Sequence, residues 1–215
     1  MIHKKTELVI ITLISLCLIF PIPSNNVSLP NHSYLPAFEW DNAPWDKTVI
    51  QEQPFWWDLR VYDQYKMYMR GVSNPLNLLG SKSFIYFGFE VQVDTAKKVK
   101  IGAYGLLNAF IISGTPGSVW IKISAVLCDE TMNPIDQHQL FKRSRANGAN
   151  WTGRNVVIND DFDVYKLDYE TTLQPGHKYY VCVRLEGWLC YWSQIYGINN
   201  NFAQFHVSCI MWEFY

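Results

Sequence analysis

The chain has 215 residues, with 18 Lys and Arg against 19 Asp and Glu, a formal net charge of −1, and 17% charged residues. That fraction is below the roughly 25% of ordinary soluble chains, and a near-neutral surface without a cationic stripe excludes nucleic acid as a partner. Aromatics reach 16% and include nine tryptophans, ample apolar mass for one generous domain.

Lys4 and Lys5 precede an unbroken apolar run from Leu8 to Phe20, which Pro21 and Pro23 close. A basic head, a short apolar run and a break have the layout of a secretory signal. As a helix the run spans roughly 20 Å, against a hydrocarbon core of about 30 Å. Residues 1–24 are thus a signal peptide cut after Ser24, or an uncleaved membrane anchor. A lipid-anchor reading of Cys17 fails because Leu16 before it is too large. On either reading the chain is exported, being secreted or anchored at the extracellular face of the cell membrane, and it meets the membrane only through this segment. Residues 25–36, rich in Pro, Asn and Ser, read as a flexible linker. Sequons at Asn26, Asn31 and Asn150 are glycosylation candidates in an exported chain.

Residues 37–215 form the expected domain, with 37–80 as an extension and 84–215 as its core. The extension is dense in rings: Trp40, Trp45, Trp56, Trp57, Tyr62, Tyr65 and Tyr68. The tyrosine spacing of three suits one face of a helical turn, while the β-favouring residues and the lack of caps suit a strand. Trp56, Trp57 and Tyr62 offer a binding surface or a dock for the extension. Strand signals are cleaner from Ser83 onward. Ile85, Phe87, Phe89, Val91 and Val93 alternate with polar or small residues, and 94–98 turn the chain. Val99, Ile101 and Ala103 open the next strand. A Ser-Gly-Thr-Pro-Gly turn at 113–117 leads into Val119, Ile121, Ile123, Ala125 and Leu127, again of one parity.

Lys142-Arg143-Ser144-Arg145 reads as a solvated loop and 147–150 as another, followed by short strands at 155–158 and 163–169. Pro175-Gly176 is a turn that launches Tyr179, Val181, Val183 and Leu185 at period two. A tyrosine just after such a turn can engage the upstream backbone through its hydroxyl, the corner device of two-sheet sandwiches. The last run, 202–214, points Ala203, Phe205, Val207, Cys209 and Met211 one way, with Gln204, His206 and Ser208 opposed. No helical period of useful length follows residue 80. Many short strands with Gly and Pro turns predict an all-β, antiparallel two-sheet β-sandwich, jelly-roll-like.

The order Phe87-x-Phe89-x-Val91, Gly114-x-Pro116-Gly117-x-Val119-x-Ile121-x-Ile123, Leu173-x-x-Gly176-x-x-Tyr179-Tyr180-Val181 and Tyr191-Trp192 resembles exported jelly-roll modules. Such modules recur in bacterial and archaeal surface proteins and beside carbohydrate-active enzymes. The resemblance covers about residues 84–205 and is carried by turn and strand chemistry; residues 37–80 have no counterpart in it. Fibronectin type III domains share the Leu-x-Pro-Gly-x-x-Tyr-x-Val-x-Val corner but have about half this length. The resemblance implies a binding or adhesion module, not a catalyst.

Segment 187–201 is the leading binding candidate, with Trp188, Tyr191, Trp192, Gln194, Tyr196, Asn199 and Asn200. Flat rings stack on the apolar faces of sugars, and amides satisfy sugar hydroxyls at little charge desolvation. The competing reading places Trp188 and Trp192 in the core. Asn159, Asp160, Asp161 and Asp163 concentrate oxygens suited to calcium, but they lack the glycine and distal Glu of an EF-hand, and a solvated acidic turn is the favoured reading. No other cofactor is implied.

Outside the leader, Cys128, Cys182, Cys190 and Cys209 permit three disulfide connectivities. A staple of Cys182 to Cys190 across a turn near Gly187 would leave Cys128 for Cys209; the other reading is buried free thiols. Neither a Cys-x-x-Cys nor a His-x-x-x-His spacing marks a metal site. Asp58, Asp63, Glu90, Glu186 and Glu213 are scattered carboxylates without a hydrolase motif, so no enzyme is expected. Two functions follow. One is a non-catalytic structural or protein-interaction module, with an envelope protein as partner. The other is a glycan-binding accessory module using 187–201.

Overall fold

The computed structural model describes residues 39–41, 47–51, 57–61, 65–76, 78–158, 171–198 and 201–215, with side chains from Trp57 onward. The leader, the linker, Asn26, Asn31, the acidic run 159–163, the expected strand 163–169, Asn199 and Asn200 lie outside the described residues. The strands are β1 (Glu39–Asp41), β2 (Lys47–Gln51), β3 (Trp57–Arg60), β4 (Lys66–Val72), β5 (Ser81–Val91), β6 (Lys97–Ile112) and β7 (Ser118–Asp129). They continue with β8 (Pro134–Ala146), β9 (Asn150–Ile158), β10 (Thr171–Leu173), β11 (Tyr179–Cys190), β12 (Gln194–Tyr196) and β13 (Ala203–Phe214). No helix among the described residues is long and apolar enough to cross a membrane.

Two antiparallel sheets form the expected β-sandwich. One has eight strands in the order β1-β13-β4-β12-β6-β10, with β3 on β4, β9 on β6 and β13 also on β6. The other has five, in the order β2-β5-β11-β7-β8. Period-two burial explains both, because each strand turns one parity toward the opposite sheet. Ile85, Phe87, Val119, Ile121, Ile123, Val181, Val183 and Leu185 from the five-stranded sheet are fully buried. Ile101, Leu107, Ile111, Met67, Met69 and Phe205 answer them from the other sheet. Phe89 and Trp212 meet across the layers with ring centroids 5.7 Å apart. Each such side chain contributes about 1.5–3 kcal/mol by leaving water.

The corner at Gly176 forms as its residues dictate. Gly176 sits at φ +79°, and the Gln174 backbone N–H donates to the Tyr179 hydroxyl at 3.1 Å. Tyr179→Phe is expected to cost about 1 kcal/mol, the usual net worth of one hydrogen bond. Urea denaturation, showing a lower midpoint at unchanged slope, would measure it.

Several expectations are revised. Segment 37–80 contributes strands to the sheets rather than a helical turn. β4 lies between β13 and β12, and Met67 and Met69, not the tyrosines, face the core. Trp57 is buried, and its indole N–H donates to Ser81 Oγ at 2.7 Å, so it serves the core rather than a binding surface. The run 142–145 is strand, part of β8 at the end of the five-stranded order. Its charges give it no apolar period to detect, and they suit an outer strand that must not pair further. The loop at 147–150 is shorter than expected, because β9 already begins at Asn150.

In β13 the parity switches. The register against β6 shifts between Val207 and Cys209, so a bulge at Ser208 turns Ile210, Trp212 and Phe214 inward and leaves Met211 half-buried.

The disulfide expectation is overturned. Cys128, Cys182, Cys190 and Cys209 are all free thiols. Cys182 and Cys190 belong to one continuous strand, β11, with no turn at Gly187, and extended chain holds them roughly 26 Å apart. Cys182 lies instead with Cys128, Tyr86 and Val126 in a small buried cluster on the side of the five-stranded sheet away from the core. Gly88 opposite leaves room for its sulfur. Burial, with the Cys128 thiol beside it, pushes the Cys182 thiol well above its ordinary pKa, so it stays protonated and inert.

Candidate functional site

The odd-numbered residues of β11 from Val181 to Leu189 face the other sheet. A Cβ on Gly187 would meet Met69 Sδ at 2.6 Å and the Trp57 ring at 2.7 Å, which fixes that side as the interior. Even-numbered residues therefore line the outer face, and the pairing of β5, β11, β7 and β8 sets them in rows. Lys82, Trp188, Trp120 and Ser144 form one row; Phe84, Glu186, Lys122 and Lys142 form the next. Tyr86, Arg184, Ser124 and Gln139 follow.

Trp120 and Trp188 are half-buried, and their rings run nearly parallel, with an interplanar angle of 13° and centroids 6.5 Å apart. Gly80, at φ +78°, makes this possible: any Cβ there would strike the Trp188 ring within 2.6 Å. Lys122 and Lys142 hold their ammonium groups 5.4 and 5.3 Å from the centre of the Trp120 ring. Both distances are within reach of the ring quadrupole.

Glu186 beneath the pair is 0% exposed. Its carboxylate meets Lys82 Nζ at 2.5 Å, Lys122 Nζ at 2.9 Å and Arg184 Nη2 at 2.9 Å. Burial raises its pKa, but hydrogen bonds from Lys82 and Lys122 and the Arg184 charge outweigh that and hold it below the ordinary glutamate value. Arg184 also donates to the Tyr86 hydroxyl at 3.0 Å and to Gln137 Oε1. Burial raises the Tyr86 phenol against the lowering pull of Arg184. Three cations on one carboxylate leave this face net positive.

The candidate residues of 187–201 are thereby distributed over three places. Trp188 belongs to the outer face of the five-stranded sheet. Tyr191 and Trp192 occupy the turn into β12, at φ +41° and +55°, with Trp192 55% exposed. Gln194 and Tyr196 lie on the outer side of the eight-stranded sheet, where Tyr196 packs on Phe110 at 4.8 Å. Sequence reasoning missed Trp120, Lys82, Lys122 and Lys142. Strand parity gives Trp120 to the outer face, but its neighbour Trp188 is set by cross-strand register, which one strand does not display.

The other residues considered at the sequence level fall elsewhere. Asn150 is exposed at the start of β9. Asp58 pairs with Arg60 at 2.6 Å, and Glu90 pairs with Lys178 at 2.8 Å. Glu213 is buried in β13 and Asp63 lies outside the described residues. His206 is half-buried, its ring steeply inclined to that of Tyr65 with centroids 6.1 Å apart. Among the described residues no group of three His, Cys, Asp or Glu is placed to hold a metal ion.

No family model matches the chain, and no curated protein matches it. Among solved structures it is similar to a chain in the crystal structure of accessory secretory protein 1, 2 and 3 in Streptococcus pneumoniae. The identity is 8% and the TM-score 0.26, over 76% of this chain and 95% of that one. A superposition that loose carries no functional argument.

Proposed function

We propose that this chain is an exported, non-catalytic module of the jelly-roll kind that binds an acidic carbohydrate on the outer face of its five-stranded sheet. The parallel Trp120 and Trp188 rings, half-open to solvent on a regular sheet, are the observation that carries this reading. A sugar ring stacks on such a surface, and Lys142 with the excess charge around Glu186 suits a carboxylate or sulfate substituent. The envelope-protein alternative calls for buried rings in 188–201; the half-open Trp188 favours the ligand face.

A glycan array of neutral, uronic and sulfated oligosaccharides, followed by calorimetry on the hits, tests this. Acidic glycans are expected to bind, and Trp120→Ala or Trp188→Ala to weaken them by about tenfold to thirtyfold, as for an aromatic anchor. No captured glycan, or full affinity in both folded variants, would overturn the reading.

A further inference from the structure

The loop joining β4 to β5 exposes three leucines within four residues: Leu76 is 85% exposed, Leu78 69% and Leu79 97%. Such side chains at a loop tip cover no core and lose nothing by leaving water. The loop is held rather than loose. Ser73 N–H donates to the Ser193 carbonyl at 2.9 Å, and Ser193 N–H donates to Ser73 Oγ at 2.8 Å. Asn74 Oδ1 accepts from the Leu76 N–H at 2.8 Å. The Ser73–Ser193 pair fastens the leucine loop to the turn bearing Trp192, itself 55% exposed, so four exposed apolar side chains share one end of the sandwich.

Cations outnumber carboxylates at that end, and the nearest carboxylates are already paired, Glu186 with Lys82, Lys122 and Arg184 and Asp58 with Arg60. The row Cys190, Ser118 and Ala146 closes the five-stranded sheet there, and Arg145, Lys82, Arg143 and Lys142 follow within four further rows. At about 3.3 Å per row, all lie within roughly 13 Å of the sheet end, fewer than two Debye lengths of about 8 Å at physiological salt. No Asp or Glu occurs in 73–82, 113–118, 142–150 or 188–197, four of the segments that build this end.

From the leucine tip, its tryptophan and this cation collar we infer that the end of the sandwich docks on a lipid bilayer bearing anionic headgroups. Leu76, Leu78, Leu79 and Trp192 enter the interface, and Lys142, Arg143 and Arg145 pair with phosphate or carboxylate headgroups. A protruding tip of separate side chains presents no groove for a peptide. The leucine tip lies apart from the tryptophan pair, while Lys142 borders both. Docking there would orient the outer face of the five-stranded sheet along the membrane normal.

Amide exchange of the full chain, read by peptide, separates this contact from any made by the leader. The chain is mixed with vesicles of phosphatidylcholine alone, or of equal parts phosphatidylcholine and phosphatidylglycerol. Exchange across 73–80 and 190–194 is expected to slow about tenfold on the anionic vesicles and little on the neutral ones. Leu76→Ser with Leu79→Ser should abolish that protection; both side chains are exposed, so the thermal midpoint should not move. Two results would overturn the inference: unchanged exchange at these peptides, or equal protection without vesicles that grows with protein concentration, which would assign the tip to a second copy. A double variant that still protects the loop would overturn it as well. Glycan affinity should be untouched by the leucine variant, so failure here and failure of the carbohydrate reading are distinguishable.

Discussion

Glu186→Gln is expected to destabilise the fold by about 3–5 kcal/mol, the cost of removing one partner from a buried ion pair. For a chain of this size each kcal/mol lowers Tm by about 2–4 °C, so a drop of roughly 6–20 °C should appear in a calorimetric scan. The reason is local. Lys82, Lys122 and Arg184 converge on one carboxylate that water does not reach, and a neutral amide leaves three cations without their counter-charge. The wild-type chain should show the linked pH dependence. Folding lowers the pKa of Glu186, so in the titration range the unfolded chain binds its proton first and stability rises with pH. The contribution is complete above the ordinary glutamate value of about 4.3 and is lost as pH falls through the lower folded value. Glu186→Gln should flatten that part of the profile. Equal acid sensitivity in variant and wild type would show that the carboxylate is not held as described. The same variant probes the ligand face, since Glu186 positions Lys82 and Lys122 beside the two rings.

Gly187→Val is expected to be nearly as costly, at about 3 kcal/mol, from overpacking. Glycine at this point of β11 is a matter of space. The position lies where β11 crosses β4, and added carbon would meet Met69 Sδ at 2.6 Å and two atoms of the Trp57 ring at 2.7 and 2.8 Å. Met69 can bend away, whereas the indole, tied to Ser81, cannot move without losing its hydrogen bond. Met69→Ala combined with Gly187→Val should therefore recover part of the loss, a coupling that urea titration of the four chains would measure. Strict additivity would place the strain elsewhere. The prediction also probes segment 37–80, because β3 and β4 supply both obstructing side chains.

Local pattern was sufficient wherever one face of a strand meets the core and the other does not. Val119 through Leu127 and Ile85 through Val93 announced their parity, and Pro175-Gly176 announced the Tyr179 corner, since each depends on neighbours within a few residues. It failed where a tertiary partner sets the outcome. β8 carries no apolar alternation because neither of its faces enters the core, so it looks like loop. The bulge at Ser208 exchanges parity midway through β13, and only pairing with β6 reveals it. The disulfide reading failed for a related reason: a turn near Gly187 was plausible from composition, but β11 runs straight through it between β5 and β7.

What the sequence by itself determined is the all-β, two-layer architecture, because period-two hydrophobicity needs only the strand's own pleat. What only the tertiary structure decided is which side chains become neighbours. Trp120 stands beside Trp188, and Glu186 among Lys82, Lys122 and Arg184, through register between strands distant in sequence. Leucines 76, 78 and 79 join Trp192 through two serine hydrogen bonds spanning 120 residues. Register is a collective property of the sheet, fixed by packing summed over many rows, and no single segment encodes it.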